Sequence, residues 1–320
     1  MHTLTLVFSL CLGMVNYADR MHRLCWFLEH GFPSAPGITV SMEYHGPKKS
    51  KKFRGADVRI FVDCLEHLQK VNMEPSDIPV IRAAILNVIA PLEISMEELA
   101  LESIDYCQNI VVANPEARRL AMRLWHKTSK HFLKAERINA KYIKNENELY
   151  YKCLDDFYRL QLYNKQAERK DKGLIPAPYE LGVLRLEYQL RQEHLLYHWQ
   201  KHGTPCSFDV WTDWSLRAAY LRQTERLFFR GDFYTLRRAE TLLRKAGLSP
   251  KECQEIRQFM ANTSKSDIDF AVKQAGSKYF VNKYIKQLTD LGISPIPIPQ
   301  NARTPYLANP FQQFYERGCV

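Results

Sequence analysis

A tyrosine, a lysine, an arginine and a glutamate fall at spacings that bring them to the polar sides of two strands. The stretch Tyr158-Arg-Leu-Gln-Leu-Tyr163-Asn-Lys165-Gln-Ala-Glu168-Arg alternates apolar and polar residues, and so does Val183-Leu-Arg185-Leu-Glu187-Tyr-Gln-Leu-Arg191. Such alternation predicts half-buried strands, because successive strand side chains point to opposite faces of a sheet. In the first, Leu160 and Leu162 oppose Arg159, Gln161, Tyr163 and Lys165; in the second, Leu184, Leu186, Tyr188 and Leu190 oppose Arg185, Glu187, Gln189 and Arg191. If both strands share one sheet, a phenol, an ammonium, a guanidinium and a carboxylate meet on a single polar surface. That set suits phosphodiester chemistry. A third strand, Leu101 to Val112, carries Asp105 on the face of Ser103 and Cys107. An acid in mid-strand runs against β-propensity, which leaves two readings: a carboxylate kept for a purpose, or an edge-strand aspartate facing solvent.

The elements that must hold these residues are legible along the 320-residue chain. An apolar run from Thr3 to Met14 has the length of a short signal segment but no basic flank before it, and is expected to be a first, buried strand. Val58 to Val62 is β-rich and Cys64 to Lys70 a short helix. Ser76-Asp-Ile-Pro79 opens a helix that Pro91 ends. Asn114-Pro115-Glu116 starts another, with a capping residue, a proline at the first position and an acid in the first turn. Arg118, Arg119, Arg123, Lys127 and Lys130 crowd its polar side, as a solvated face or as the lining of a nucleic-acid groove. Lys165 to Pro178 reads as a charged, then Pro-rich connection. Beyond His202-Gly203 the signals are helical: Asp213 to Phe229, Asp232 to Ala246, a capping box at Ser249-Pro-Lys-Glu252, and Asp267 to Leu291 as one helix or as two broken near Gly276. The expected fold is α+β. A mainly antiparallel sheet domain with flanking helices occupies 1–206, a mostly helical domain 207–294, and an extended tail 295–320.

Lys and Arg number 45 against 35 Asp and Glu, a formal charge of +10. Such a surface attracts polyanions through charge and counterion release, although a merely soluble basic protein has the same balance. The basic turn Pro47 to Phe53 is read first as a solvated hairpin tip. Eight cysteines are scattered singly, without Cys-x-x-Cys pairs or flanking histidine pairs. A zinc site or disulfide framework is not expected, and a reducing cytoplasm is. Trp199, Trp211 and Trp214 are read as packing anchors.

The Tyr-x-Lys-x-x-Glu pattern of Tyr163, Lys165 and Glu168, followed by Leu184-Arg-Leu-Glu187, resembles the replication initiators of filamentous phages and related plasmids, the gene II/X replication protein family. More distantly it resembles rolling-circle plasmid initiators with an Arg-x-Tyr-x-Lys strand. Other short motifs fall in the same order from about Thr3 to Ile293: the Thr3-Leu-Thr-Leu strand, Val58 to Val62, Ile104-Asp105, and a helical half ending near Asp290-Leu-Gly-Ile293. The chain departs from the family where Ser103 precedes Ile104-Asp105 in place of an arginine. It departs again where Tyr151-Lys-Cys-Leu-Asp-Asp156 stands in place of a Gly/Ser-rich turn.

The resemblance implies that Tyr163 nicks one DNA strand by transesterification, leaving a 5′-phosphotyrosyl bond and a 3′-hydroxyl that primes a polymerase. A phenol of pKa about 10 needs a base or nearby cation for that attack. Lys165 is the implied stabiliser of the phenolate or of the phosphorus, and Glu168 a further ligand or a base. Asp105 and Glu187 are the implied ligands of Mg²⁺ or Mn²⁺, which prefer carboxylate oxygens. Tyr150, Tyr151 and Tyr158 are read as cross-strand packing rather than a second nucleophile. Arg159, Arg185, Arg222, Arg226, Arg237 and Arg238 are the candidate DNA contacts. The implied partners are origin DNA, as a single strand or supercoiled duplex, with a host polymerase and, since the chain has no Gly-x-x-x-x-Gly-Lys-Ser/Thr loop, a host helicase. No membrane is implied, and a homodimer is compatible. The alternative reading is a sequence-specific DNA-binding protein of the same fold that does not cut.

Overall fold

A computed structural model describes residues 1–45, 55–128, 140–145, 148–153, 158–223 and 229–312, with the backbone alone at 140–145, 148–153 and 223. The basic turn from Pro47 to Phe53, Lys130 and Arg226 lie outside these residues, as do the side chains of Tyr150 and Tyr151. In chain order the elements are β1 (Thr3–Cys11), α1 (Tyr17–His30), β2 (Ile38–His45), β3 (Gly55–Asp63), α2 (Cys64–Leu68), α3 (Ile78–Ile89), β4 (Ala100–Val111) and α4 (Pro115–Trp125). There follow β5 (Ala140–Asn145), β6 (Glu148–Cys153), β7 (Tyr158–Asn164), α5 (Lys165–Asp171), β8 (Val183–Leu190), α6 (Gln192–His202), α7 (Phe208–Trp211) and α8 (Trp214–Gln223). The last are β9 (Phe233–Tyr234), α9 (Leu236–Lys245), α10 (Pro250–Lys265), α11 (Ile268–Ala275), α12 (Lys278–Asp290) and β10 (Tyr306–Leu307). The protein is α+β, as its alternating and helical periodicities predict.

The chain divides into two compact units. One comprises Met1–Gln108, Asp156–Arg159 and Glu187–Ala219; the other comprises Asn109–Asp155, Leu160–Leu186 and Tyr220–Val320. The division passes through β4, β7 and β8 rather than at 206/207, so residues 207–219 group with the first sheet and the C-terminal tail with the second unit.

In the first unit the sheet order is β2-β3-β1-β4-β8. β1 pairs antiparallel with both β3 and β4, in a register that sets Thr3 opposite Asp63 on one side and Asp105 on the other. Leu4, Leu6, Phe8 and Leu10 of β1 and Val58, Ile60 and Val62 of β3 point to one face and are fully buried, as are Leu24 of α1 and Ile81 and Ile85 of α3. Period-two alternation sends Thr3, Asp63 and Asp105 to the opposite face. β4 is flanked by β1 and β8. The edge-strand reading of Asp105 is therefore overturned: the residue lies on an interior strand.

In the second unit the order is β8-β7-β6-β5. Two of its helices form where the caps predict, whereas the helix expected from Asp232 begins at Leu236, after β9. Asn114 Oδ1 accepts from the amides of Glu116 and Ala117 at the start of α4, and Ser249 and Glu252 close a capping box on α10. Gly276, at φ 69°, parts α11 from α12, a left-handed conformation that costs glycine little. Trp125 meets Phe311 edge-on, ring centroids 4.0 Å apart. The tail expected to be merely extended folds back: β10 pairs with β9, and Ile296, Ile298 and Phe311 are buried. Its approach requires Gly231, where an added Cβ would stand 2.5 Å from the backbone of Ile293.

Candidate functional site

The polar face of the first unit gathers four titratable side chains. Asp105 receives a 2.5 Å hydrogen bond from the Thr3 hydroxyl on Oδ2, while Oδ1 is buried and has no hydrogen-bond partner among the described residues. Burial, and then the charge of Glu187, push the Asp105 carboxyl up to about 6. His2 continues the line of β1: its amide donates to the Asp105 carbonyl and its own carbonyl accepts from Cys64. Its imidazole sits between two carboxylates, Nδ1 2.8 Å from Glu187 Oε1 and Nε2 3.5 Å from Asp63 Oδ2. Glu187 Oε2 accepts from Gln189 at 3.2 Å, and Gln189 in turn accepts from Arg191 at 3.0 Å. Asp63 has a second task, capping α2 through the Glu66 amide at 3.0 Å.

The polar cluster of the second unit is built differently. β7 ends at Asn164, whose Oδ1 accepts from the Ala167 amide and so caps α5. Lys165 is thus the first residue of a helix and not, as the alternation predicts, two places along the strand face of Tyr163. The asparagine cap wins because Lys165-Gln-Ala-Glu-Arg-Lys is a run of good helix formers, and the stretch read as a connection begins with that helix. Lys165 is buried; its Nζ lies 2.9 Å from Glu168 Oε2, 3.7 Å from Glu180 Oε1 and 5.9 Å from the centroid of the Tyr163 ring. Burial, then the nearby Arg185 guanidinium, lowers its ammonium pKa. Burial opposes ionisation of Glu168, but hydrogen bonds from Lys172 and Lys165 outweigh it and hold the carboxyl below its ordinary range. Arg169 grips both oxygens of the buried Glu180 through Nε, at 2.8 and 3.0 Å.

Asp105 and Glu187 are therefore brought together in the first unit, and Tyr163, Lys165 and Glu168 in the second. Tyr163 is 5% exposed. The alternation of β8 predicts one covered face, yet all but Gln189 of its residues are buried; Arg185 lies inside with Nε 2.8 Å from Asn109 Oδ1. Arg185 is thus a packing residue and not a surface contact for DNA. Arg222, Arg237 and Arg238 are exposed and Arg159 is half-buried. Tyr158 stacks on Tyr188 with centroids 5.1 Å apart, the packing role its position suggests. Trp211 is buried, but Trp199 is 56% exposed and anchors no core. Sequence reasoning missed His2, Asp63, Glu180 and Arg169. The first two could be found only by register, since they are 103 and 42 residues from Asp105; the spacing Lys165, Glu168, Arg169 at i, i+3 and i+4 did signal a helix.

Among the described residues, no three His, Cys, Asp or Glu side chains surround a common point as a finished cation site. The donor chemistry of the Asp105–Glu187 pair nonetheless fits a hard divalent ion: two adjacent carboxylates, one with a buried, unpartnered oxygen. No protein-family model matches the chain, and no curated protein sequence matches it.

Proposed function

We propose that this protein nicks and rejoins one DNA strand at an origin of rolling-circle replication. The observation that carries the reading is Asp105, a carboxylate on an interior strand, beside a second carboxylate, with an oxygen left without a partner among the described residues. A fold gains no stability from such a group, and a site that must receive a cation keeps one. Asp105 and Glu187 would hold Mg²⁺ or Mn²⁺, which supplies charge neutralisation at a phosphate. His2 orients Glu187, and Thr3 fixes one oxygen of Asp105 so that the other stays free.

Tyr163 is the nucleophile in this reading. Its Oη bonds to phosphorus as the bond from phosphorus to the 3′-oxygen breaks; the phenol gives up its proton and the departing 3′-oxygen takes one up. The product is a 5′-phosphotyrosyl link. Lys165, over the ring, lowers the cost of negative charge on the phenol. Glu168, already accepting from two lysines, is a poor base and serves to position Lys165.

One observation favours a second reading, a DNA-binding protein that does not cut: Tyr163 is buried, and Lys165 and Glu168 are engaged with each other. The two readings part on one assay. Wild type and Tyr163→Phe are incubated with supercoiled plasmid carrying candidate origins and Mg²⁺, and the 5′ ends are probed for covalent protein. Linked ends from wild type, absent with Tyr163→Phe and retained with Tyr158→Phe, support the nicking reading. Plasmid bound but never nicked leaves the second.

A further inference from the structure

In the second unit, the exposed side of α4 and the segment 301–307 bound an open cavity of about 560 Å³. Arg119 and Arg123 line it from the helix, Arg303 from the segment, and Tyr306 supplies a ring. Arg119 and Arg123 are one helical turn apart, about 6 Å along the axis, where like charges repel. Neither they nor Arg303 makes an ion pair or hydrogen bond among the described residues. Their neighbour Arg118 shows the contrast. It is buried, and its Nη1 donates to the carbonyls of Val112 and Ala113. Glu116, also on the wall, is the single acid among the described residues that line the cavity and does not offset three guanidiniums. Tyr306 is 40% exposed, yet fixed by a 2.9 Å bond from its hydroxyl to Asp232 and by the Tyr234 ring 5.2 Å away.

We propose that this cavity holds the phosphates of a single-stranded DNA segment, with Tyr306 as the platform for one base. Guanidinium forks match phosphate oxygens, and unpaired arginines converging on a concavity are a site waiting for an anion. A cavity of this volume is of the size that takes a nucleotide. A fixed, half-open aromatic ring is what a base stacks on. The proposal does not depend on catalysis, and it gives the basic side of α4 a role that solvation alone leaves unexplained.

The test is fluorescence anisotropy on the full chain, as Tyr163→Phe and in EDTA so that nicking plays no part, with fluorescein-labelled oligo(dT) between about 50 and 200 mM salt. The combined variant R119Q/R123Q/R303Q should bind at least about tenfold more weakly, and its log K against log salt slope should flatten by roughly 2, from three lost single-strand contacts. Tyr306→Leu should weaken binding severalfold with the slope unchanged, as loss of stacking without loss of charge. Lys245→Gln, an exposed charge outside the cavity, should change neither as much. Because the three guanidiniums pair with nothing among the described residues, circular dichroism and thermal melting should stay as in the parent. Unchanged affinity and slope in the triple variant would overturn the proposal, and so would an equal arginine-dependent loss for a duplex of the same length. Failure here leaves the nicking reading standing, and failure of nicking leaves this site standing.

Discussion

Two carboxylates, the half-buried Asp105 in the first unit and the buried Glu180 in the second, sit in opposite circumstances. Glu180 is 2% exposed and fully answered: Arg169 on both oxygens, the Ala177 amide at 3.0 Å, and Lys165 at 3.7 Å. Asp105 is half-buried, with its Oδ1 closed off from water, and has one hydroxyl donor, a like charge beside it and an oxygen with no partner among the described residues. Both carboxylates are withdrawn from water, but only one is answered. A satisfied ion cluster is the kind that fixes a corner of the chain, here the β7–α5 turn. An unsatisfied one costs stability and persists where something else requires it. The ion pairs of the second unit are accordingly read as machinery that positions Lys165 beside Tyr163, and the carboxylates of the first as the part that would meet a cation.

The strongest way to break that contrast is to apply one kind of change to both. Glu180→Ala leaves the Lys165 ammonium and the Arg169 guanidinium without their shared acceptor, and should destabilise the protein by roughly 3 kcal/mol or more. The urea midpoint reports it. Asp105→Asn should do the reverse at neutral pH, raising stability by roughly 2 kcal/mol because a disfavoured buried charge is removed. A loss of stability in both variants would erase the distinction drawn between the two sites.

The same contrast predicts a pH dependence. With its carboxyl raised to about 6 from about 3.9 in the unfolded chain, Asp105 holds more proton in the folded state between those values. Its contribution to stability is fully present below about pH 4 and is lost as pH rises through about 6. Unfolding followed in urea across that window should show wild type weakening toward neutrality by more than Asp105→Asn does. Ionisation is also what a cation needs, so metal-dependent nicking should fall away as pH drops below about 6, while binding of oligo(dT) in EDTA should not follow that step.

How far the chain disclosed this in advance differs between the two clusters. The strands were readable because leucines, isoleucines and valines at period two have to face a core, and Leu4, Leu6, Ile60 and Ile104 do. Caps at Asn114 and Ser249 act within three residues, so local chemistry suffices to find them. Asp105 stood out for the same local reason, an acid where β-propensity disfavours one. His2 and Asp63 did not, because only strand register sets Thr3 between Asp63 and Asp105, and register is a non-local property. Lys165 was misplaced because an alternating pattern continues past Tyr163 on paper, whereas Asn164 caps a helix and turns the chain. The covering of both faces of β8 depends on long-range packing that leaves little local trace beyond a Leu-rich run.

That corner yields the smallest and most local test. Asn164 joins strand to helix with one bond, Oδ1 accepting from the Ala167 amide at 3.3 Å. Asn164→Ala removes it and should cost about 1 kcal/mol, well below the effect of Glu180→Ala. Asn164→Asp keeps an acceptor at the cap and adds negative charge at a helix N-terminus, so it should recover most of the loss. If the cluster's work is to position Lys165 over the Tyr163 ring, Asn164→Ala should lower the nicking rate more than its stability loss explains, and Asn164→Asp should restore both. Equal nicking rates in all three proteins would mean that the corner supports the fold alone, and the division of labour between the clusters would then have to be drawn without it.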